Sequence, residues 1–190
     1  MANELLRKNG LQFLLRDATD FPNSGAGPPT TAANSLIIGT PTEVQIDLTG
    51  IAATGGARQS AKMDLTTPWG VSWTIDACIE FETAPADGGS VDFYWAKSPS
   101  ATAGTGNAGG TTGADAAFTD TAGNLGQMVS LGSLPVRNNV INIGSVGLLT
   151  PTLQYGNLVV VNNASTAFRS TATAMDETHI VITEVIDELQ

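Results

Sequence analysis

The sequence predicts an all-β fold, a two-sheet antiparallel sandwich of jelly-roll type with an extended N-terminal arm. Three observations carry that expectation. From Trp69 to Phe81 every odd residue is apolar (Trp69, Val71, Trp73, Ile75, Ala77, Ile79, Phe81), while Gly70, Ser72, Thr74, Asp76, Cys78 and Glu80 are small or polar. A period of two over that length marks a long strand with one buried face, and it fixes register, because a slip of one residue would turn the indoles into water. No stretch after Ser35 sustains a helical period. Charged residues make up only 14% of the chain against 21 glycines, which suits short strands joined by turns or surfaces that pack on neighbours.

Taken in order, residues 3–22 are ambiguous. Glu4–Lys8 and Leu11–Arg16 flank Asn9-Gly10, a favoured tight-turn pair. A hairpin fits, as does a short amphipathic helix followed by a strand. Asp20–Asn34 is rich in Pro, Gly, Ser, Thr and Ala and reads as a linker. Residues 1–34 are thus an arm and linker that reach a neighbour, or else a first strand and a long surface loop. An arm predicts that removing 1–34 leaves a folded 35–190 body. In that body Val44, Ile46 and Leu48 alternate with Glu43, Gln45 and Asp47, and Ala57–Leu65 is a weaker polar candidate. The Trp69–Glu82 strand is followed by a turn at Thr83–Gly89 and by alternating Val91, Phe93 and Trp95, so these two strands are expected to pair as a hairpin. Further strands are expected at 127–134, 139–149, 157–162 and 178–186. Lys97–Gly126 breaks the pattern with little bulk and, between Ser98 and Gly110, no charge, and it reads as a flexible or assembly-contacting loop.

Composition excludes several function classes. The net charge is −10 with eight basic residues, so neither duplex nucleic acid nor an anionic membrane is an expected partner. The start of the chain lacks the apolar core of a signal peptide, and no apolar run approaches the roughly 18 residues of a membrane span. A lone cysteine fits synthesis in a reducing cytoplasm.

A search for chemistry finds little. His179, the one histidine, has no nucleophile motif to serve and reads as structural. Cys78 has no C-x-x-C partner and reads as a small filler. Glu80 and Glu82 lie about 6.7 Å apart on one strand, within the range of paired glycosidase carboxylates. Neighbours on one strand cannot flank a bond from opposite sides, however, so with Asp76 they read as a solvated acidic face or one that meets a basic neighbour. The Gly-rich loop lacks G-x-x-x-x-G-K-[ST] and opens no helix. Trp69, Trp73 and Trp95 share the predicted core parity, leaving Tyr94 and Tyr155 as better surface aromatics. No catalytic, cofactor-binding or metal residue is assigned, and no cofactor is expected.

Ala57–Lys62, Val91–Ala96 with the following Ser98–Gly110, Tyr155–Asn163 and the final Ile186-Asp187-Glu188 resemble a group of small structural proteins of tailed bacteriophages. The resemblance spans most of residues 35–190, and the arm matches least. It implies a virion component without enzyme activity and supplies no binding residues. The acidic balance then favours the outer head surface. The expectation is a capsid decoration or cement protein, a dimer or trimer that binds the major capsid protein or other virion proteins. The competing expectation is a tail, fibre or baseplate adhesin with a carbohydrate-binding sandwich.

Overall fold

The computed structural model describes residues 5–17, 34–66, 72–121, 123–170 and 177–189. Eleven strands are present among them: β1 (Leu5–Arg16), β2 (Thr42–Gln45), β3 (Gly56–Gln59), β4 (Met63–Asp64), β5 (Ser72–Glu80), β6 (Ser90–Ser98), β7 (Ala116–Phe118), β8 (Val129–Pro135), β9 (Ile141–Leu149), β10 (Tyr155–Asn162) and β11 (His179–Leu189). One sheet has the order β2-β1-β11-β5-β9. The other runs β7-β3-β10-β6-β8, with β4 also on β10. All pairings are antiparallel except β1 with β2.

Along the sequence the pairs nest from the outside inward: β1 with β11, β3 with β10, β5 with β9, β6 with β8. That nesting is the connectivity of a two-sheet jelly roll. The core lies between the sheets, where the expected parity holds. Trp73, Ile75, Ala77 and Ile79 of β5 are buried, as are Val91, Phe93 and Trp95 of β6 and Leu158 and Val160 of β10. Phe13 of β1 meets the Trp73 ring at 5.5 Å between centroids. Trp69, Gly70 and Val71 lie outside the described residues.

Two expectations are corrected. β5 and β6 do not form a hairpin. The edges of β5 are taken by β11 and β9, and those of β6 by β10 and β8. Both strands turn their apolar residues into the same core, so 83–89 is a corner that carries the chain from one sheet to the other. Residues 5–16 are not an arm. Phe13, Leu14 and Leu15 are buried, and β1 sits between β2 and β11. Asn9-Gly10 marks a bulge instead of a hairpin turn, because the register shifts between Asn9 and Gln12. A domain boundary at residue 34 would therefore cut a sheet in two; residues 18–33 lie outside the described residues.

On one flank of the sandwich β8 and β9 approach backbone to backbone. A Cβ on Gly132 (φ +132) would lie 2.3 Å from the Val146 carbonyl oxygen, and one on Gly147 would lie 2.1 Å from that of Leu131. Only glycine permits this closeness.

Candidate interaction surface

Of the two readings of Lys97–Gly126, flexible or assembly-contacting, the first is corrected: the loop is fastened across the outer face of the second sheet. Phe118, Leu125, Met128 and Ala108 pack there on Ala96, Val159 and Val161, a second apolar cluster separate from the main core. β10 is consequently covered on both faces. The continuous apolar run Leu158–Val161 was a signal for such double burial, since a half-wet strand alternates.

Lys62 organises the near end of this loop. Its Nζ donates to Ser98 Oγ (3.0 Å), Ser100 O (2.9 Å), Thr102 O (2.6 Å) and Thr105 O (3.2 Å). Gln59 and Thr112 exchange two hydrogen bonds, and Thr111 Oγ1 donates to buried Asn157 Oδ1 at 2.9 Å. At the far end Asp115 accepts Arg58 Nε (2.7 Å), Arg58 Nη2 (2.9 Å) and the Asp47 amide (3.1 Å). The hydrogen bond to Asp115 raises the Arg58 guanidinium pKa further.

The residues singled out for chemistry serve structure. Glu80, expected on a face either solvated or meeting a basic neighbour, is buried against one. It pairs with Arg169 and accepts the Glu177 amide at 3.0 Å, because the 168–170 and 177–178 segments pack beside the end of β5. Glu82 stays exposed and accepts the Ser170 amide (2.8 Å) and hydroxyl (3.1 Å), bonds that lower its pKa. Cys78 is fully buried. His179 is buried too. Its Nε2 accepts the Leu36 amide at 3.2 Å, so Nδ1 carries the proton and donates to Glu177 O at 2.6 Å. Burial pushes the imidazole pKa below its usual value. Trp73 and Trp95 are enclosed in the core and unavailable for stacking on a sugar. Tyr94 is half-buried against the loop cluster. Among the described residues no three His, Cys, Asp or Glu side chains gather to hold a metal.

The outer face of the first sheet is different. Residues 35–38 cross it, held by Gln12, whose Nε2 donates to Thr183 Oγ1 (2.9 Å) and Leu36 O (3.3 Å) and whose Oε1 accepts the Ile38 amide (2.8 Å). Beneath them runs a groove of about 330 Å³ floored by Thr74, Asp76, Val181 and Thr183. Beside it β9 turns Ile143 and Leu148 outward, opposite Cys78 and Thr74. Ile38, Ile143 and Leu148 are 56%, 41% and 56% exposed; Ile143 and Leu148 lie on β9 with exposed Ser145 between them, while Ile38 belongs to the segment held by Gln12 of β1. The sequence predicts a strand at 139–149 without assigning its faces, and outward aliphatic residues are common singly, so Ile143 and Leu148 are not singled out by it.

No protein-family profile, curated protein or solved structure matches the chain.

Proposed function

We propose that the chain is a non-enzymatic structural protein of a tailed-phage virion, a decoration or cement protein that attaches to the outer surface of the head and strengthens it. The observation that carries this reading is the pair of exposed aliphatic side chains Ile143 and Leu148 on the outer face of edge strand β9. Exposed aliphatic surface among polar groups suits a protein partner. The short runs that resemble phage structural proteins point the same way, and the net charge of −10 suits an exterior position away from packaged DNA. The partner is the major capsid protein or another virion protein, and the chain works after release from the host cytoplasm as part of the particle. For the adhesin alternative, Trp73 and Trp95 are buried and Tyr94, one of the two better surface aromatics, is half-buried against the loop cluster.

The test uses purified tailless heads stripped of the protein. Added back, the chain should sediment with heads and raise the temperature at which they release DNA. The Ile143→Asp/Leu148→Asp variant should melt like the wild type and bind heads about ten-fold or more weakly, the loss expected on removing central apolar contacts. Undiminished binding by that variant, or a chain that fractionates only with tails, overturns the proposal.

A further inference from the structure

The groove beneath residues 35–38 holds one charge. Asp76 is the only ionisable residue lining it, half-buried on the floor, and its carboxylate has neither a hydrogen-bond nor an ion-pair partner among the described residues. Carboxylates elsewhere are engaged. Glu43 meets Arg16, Glu80 meets Arg169, and Asp47 and Asp115 meet Arg58.

The N–H groups around Asp76 are already spent. The Leu36 amide donates to His179 Nε2 at 3.2 Å, that of Ile37 to Ser35 Oγ at 3.4 Å and that of Ile38 to Gln12 Oε1 at 2.8 Å. Gln12 is the one lining side chain with N–H groups, and its Nε2 donates to both Thr183 Oγ1 and Leu36 O. What the groove still offers is a carboxylate and the hydroxyls of Ser35, Thr74 and Thr183, which suits a ligand that brings its own N–H donors. An anion would meet the Asp76 charge with no N–H of Gln12 or of residues 36–38 to spare. A divalent metal gathers several oxygen ligands, and one carboxylate is a poor start for it.

Strand register adds an apolar half to the site. Ser145 of β9 lies opposite Asp76, Ile143 opposite Cys78 and Leu148 opposite Thr74, so Asp76 falls between the levels of the two exposed aliphatic side chains. Diagonal neighbours on a sheet face lie about 7–8 Å apart, within the span of one long side chain. A carboxylate flanked by aliphatic groups matches the two parts of a lysine or arginine, a methylene stem and a cationic head. The volume, about 330 Å³, is at the small end of ligand sites and takes one such side chain.

We infer that the groove receives a basic side chain projected by the virion protein to which this chain binds, the cationic head paired with Asp76 and the stem laid against Ile143 or Leu148. The inference rests on the decoration reading, which supplies the partner, and names the chemistry by which that partner is recognised. The net charge of −10 also draws a basic surface toward this one.

Asp76→Asn tests it, since the substitution removes the charge, keeps the shape and breaks no hydrogen bond or ion pair. The variant should melt like the wild type. On stripped heads it should bind about ten-fold more weakly, with a shallower loss of affinity as salt rises. A second arm needs no heads. In the full chain, the amide NMR signals of Thr74, Asp76 and Thr183 should shift saturably with N-acetylarginine amide or N-acetyllysine amide. They should not shift with N-acetylglutamine amide, nor with either basic probe in Asp76→Asn. Wild-type affinity of Asp76→Asn for heads overturns the inference, as do groove signals that ignore both basic probes or answer equally to acetate or calcium. Equal binding of the variant leaves the decoration reading standing. Heads that ignore the wild type fail that reading, and the NMR arm then decides the preference of the groove by itself.

Discussion

Removal of the Lys62 ammonium tests whether the Gly-rich loop is fastened or merely lies along the sheet. Lys62→Met keeps the length and apolar character of the stem and deletes four hydrogen bonds. Those to Thr102 O and Thr105 O are exposed, so water replaces the donor at little cost. Those to Ser98 Oγ and Ser100 O are partly buried. A hydrogen bond to a charged group contributes about 1.5 kcal/mol or more, so the two give about 3 kcal/mol, reduced to about 2–3 as the released acceptors rehydrate.

If the loop opens without the core, as a marginal covering segment can, that loss is read locally. The amides of Thr105 and Thr112, bonded to Thr102 O and Gln59 Oε1, should exchange about 30- to 160-fold faster. If the loop melts only with the whole fold, Tm should fall by about 4–12 °C. Exchange of those amides within threefold of the wild type, together with an unchanged Tm, would refute the account of Lys62 as the fastening.

The His179 ring gives a pH dependence of definite sign. Its folded pKa lies below the unfolded value of about 6.5 because burial opposes the charge. The unfolded chain thus takes up a proton that the folded one resists. This contribution to stability is complete above about pH 6.5 and is lost as the pH falls towards the folded pKa, at no more than about 1.4 kcal/mol per pH unit. With no other histidine in the chain, urea midpoints between pH 5.5 and 7.5 read it cleanly, and His179→Gln should flatten the slope. Deleting residues 1–17 should abolish soluble folded protein, since Phe13 and Leu15 leave the core, while deleting 1–9 should leave the circular dichroism spectrum intact. Gly147→Ala should cost about 1–3 kcal/mol by forcing β9 away from the Leu131 carbonyl, measured by urea denaturation.

The inner half of the fold was legible because one face per strand is buried. Trp73, Ile75, Val91, Phe93 and Trp95 each announced a core position by parity alone, and that parity does not depend on which strand is the neighbour. Pairing was less legible for the same reason. Alternation in 69–81 and 91–95 says that both strands face a core, and it is silent on whether they share a sheet or oppose each other across the interior. The error over the β5–β6 hairpin arose there: a seven-residue connection with Pro85 and Gly88-Gly89 serves a corner as well as a hairpin. The fastening of residues 97–126 was not legible for a different cause. Small residues give a loop no hydrophobic signal, and what fastens it comes from Lys62, Gln59 and Arg58, far away in sequence.

The same long-range character bears on where function can reside. Glu80, His179, Glu184, Arg58 and Lys62 are the ionisable groups a sequence search would try first or the fold draws inward, and each is committed to a backbone group or an opposite charge that holds a segment in place. A group so engaged has to break a structural contact before it can act on a ligand, at about 1–3 kcal/mol for every buried partner left unsatisfied. Ile38, Ile143 and Leu148 carry no such commitment. Ile143 and Leu148 stand on a strand already paired along its length, so covering them buries aliphatic surface with little further ordering of the backbone. Use of those ionisable groups on a ligand carries the cost of a broken structural contact, and covering these two side chains does not.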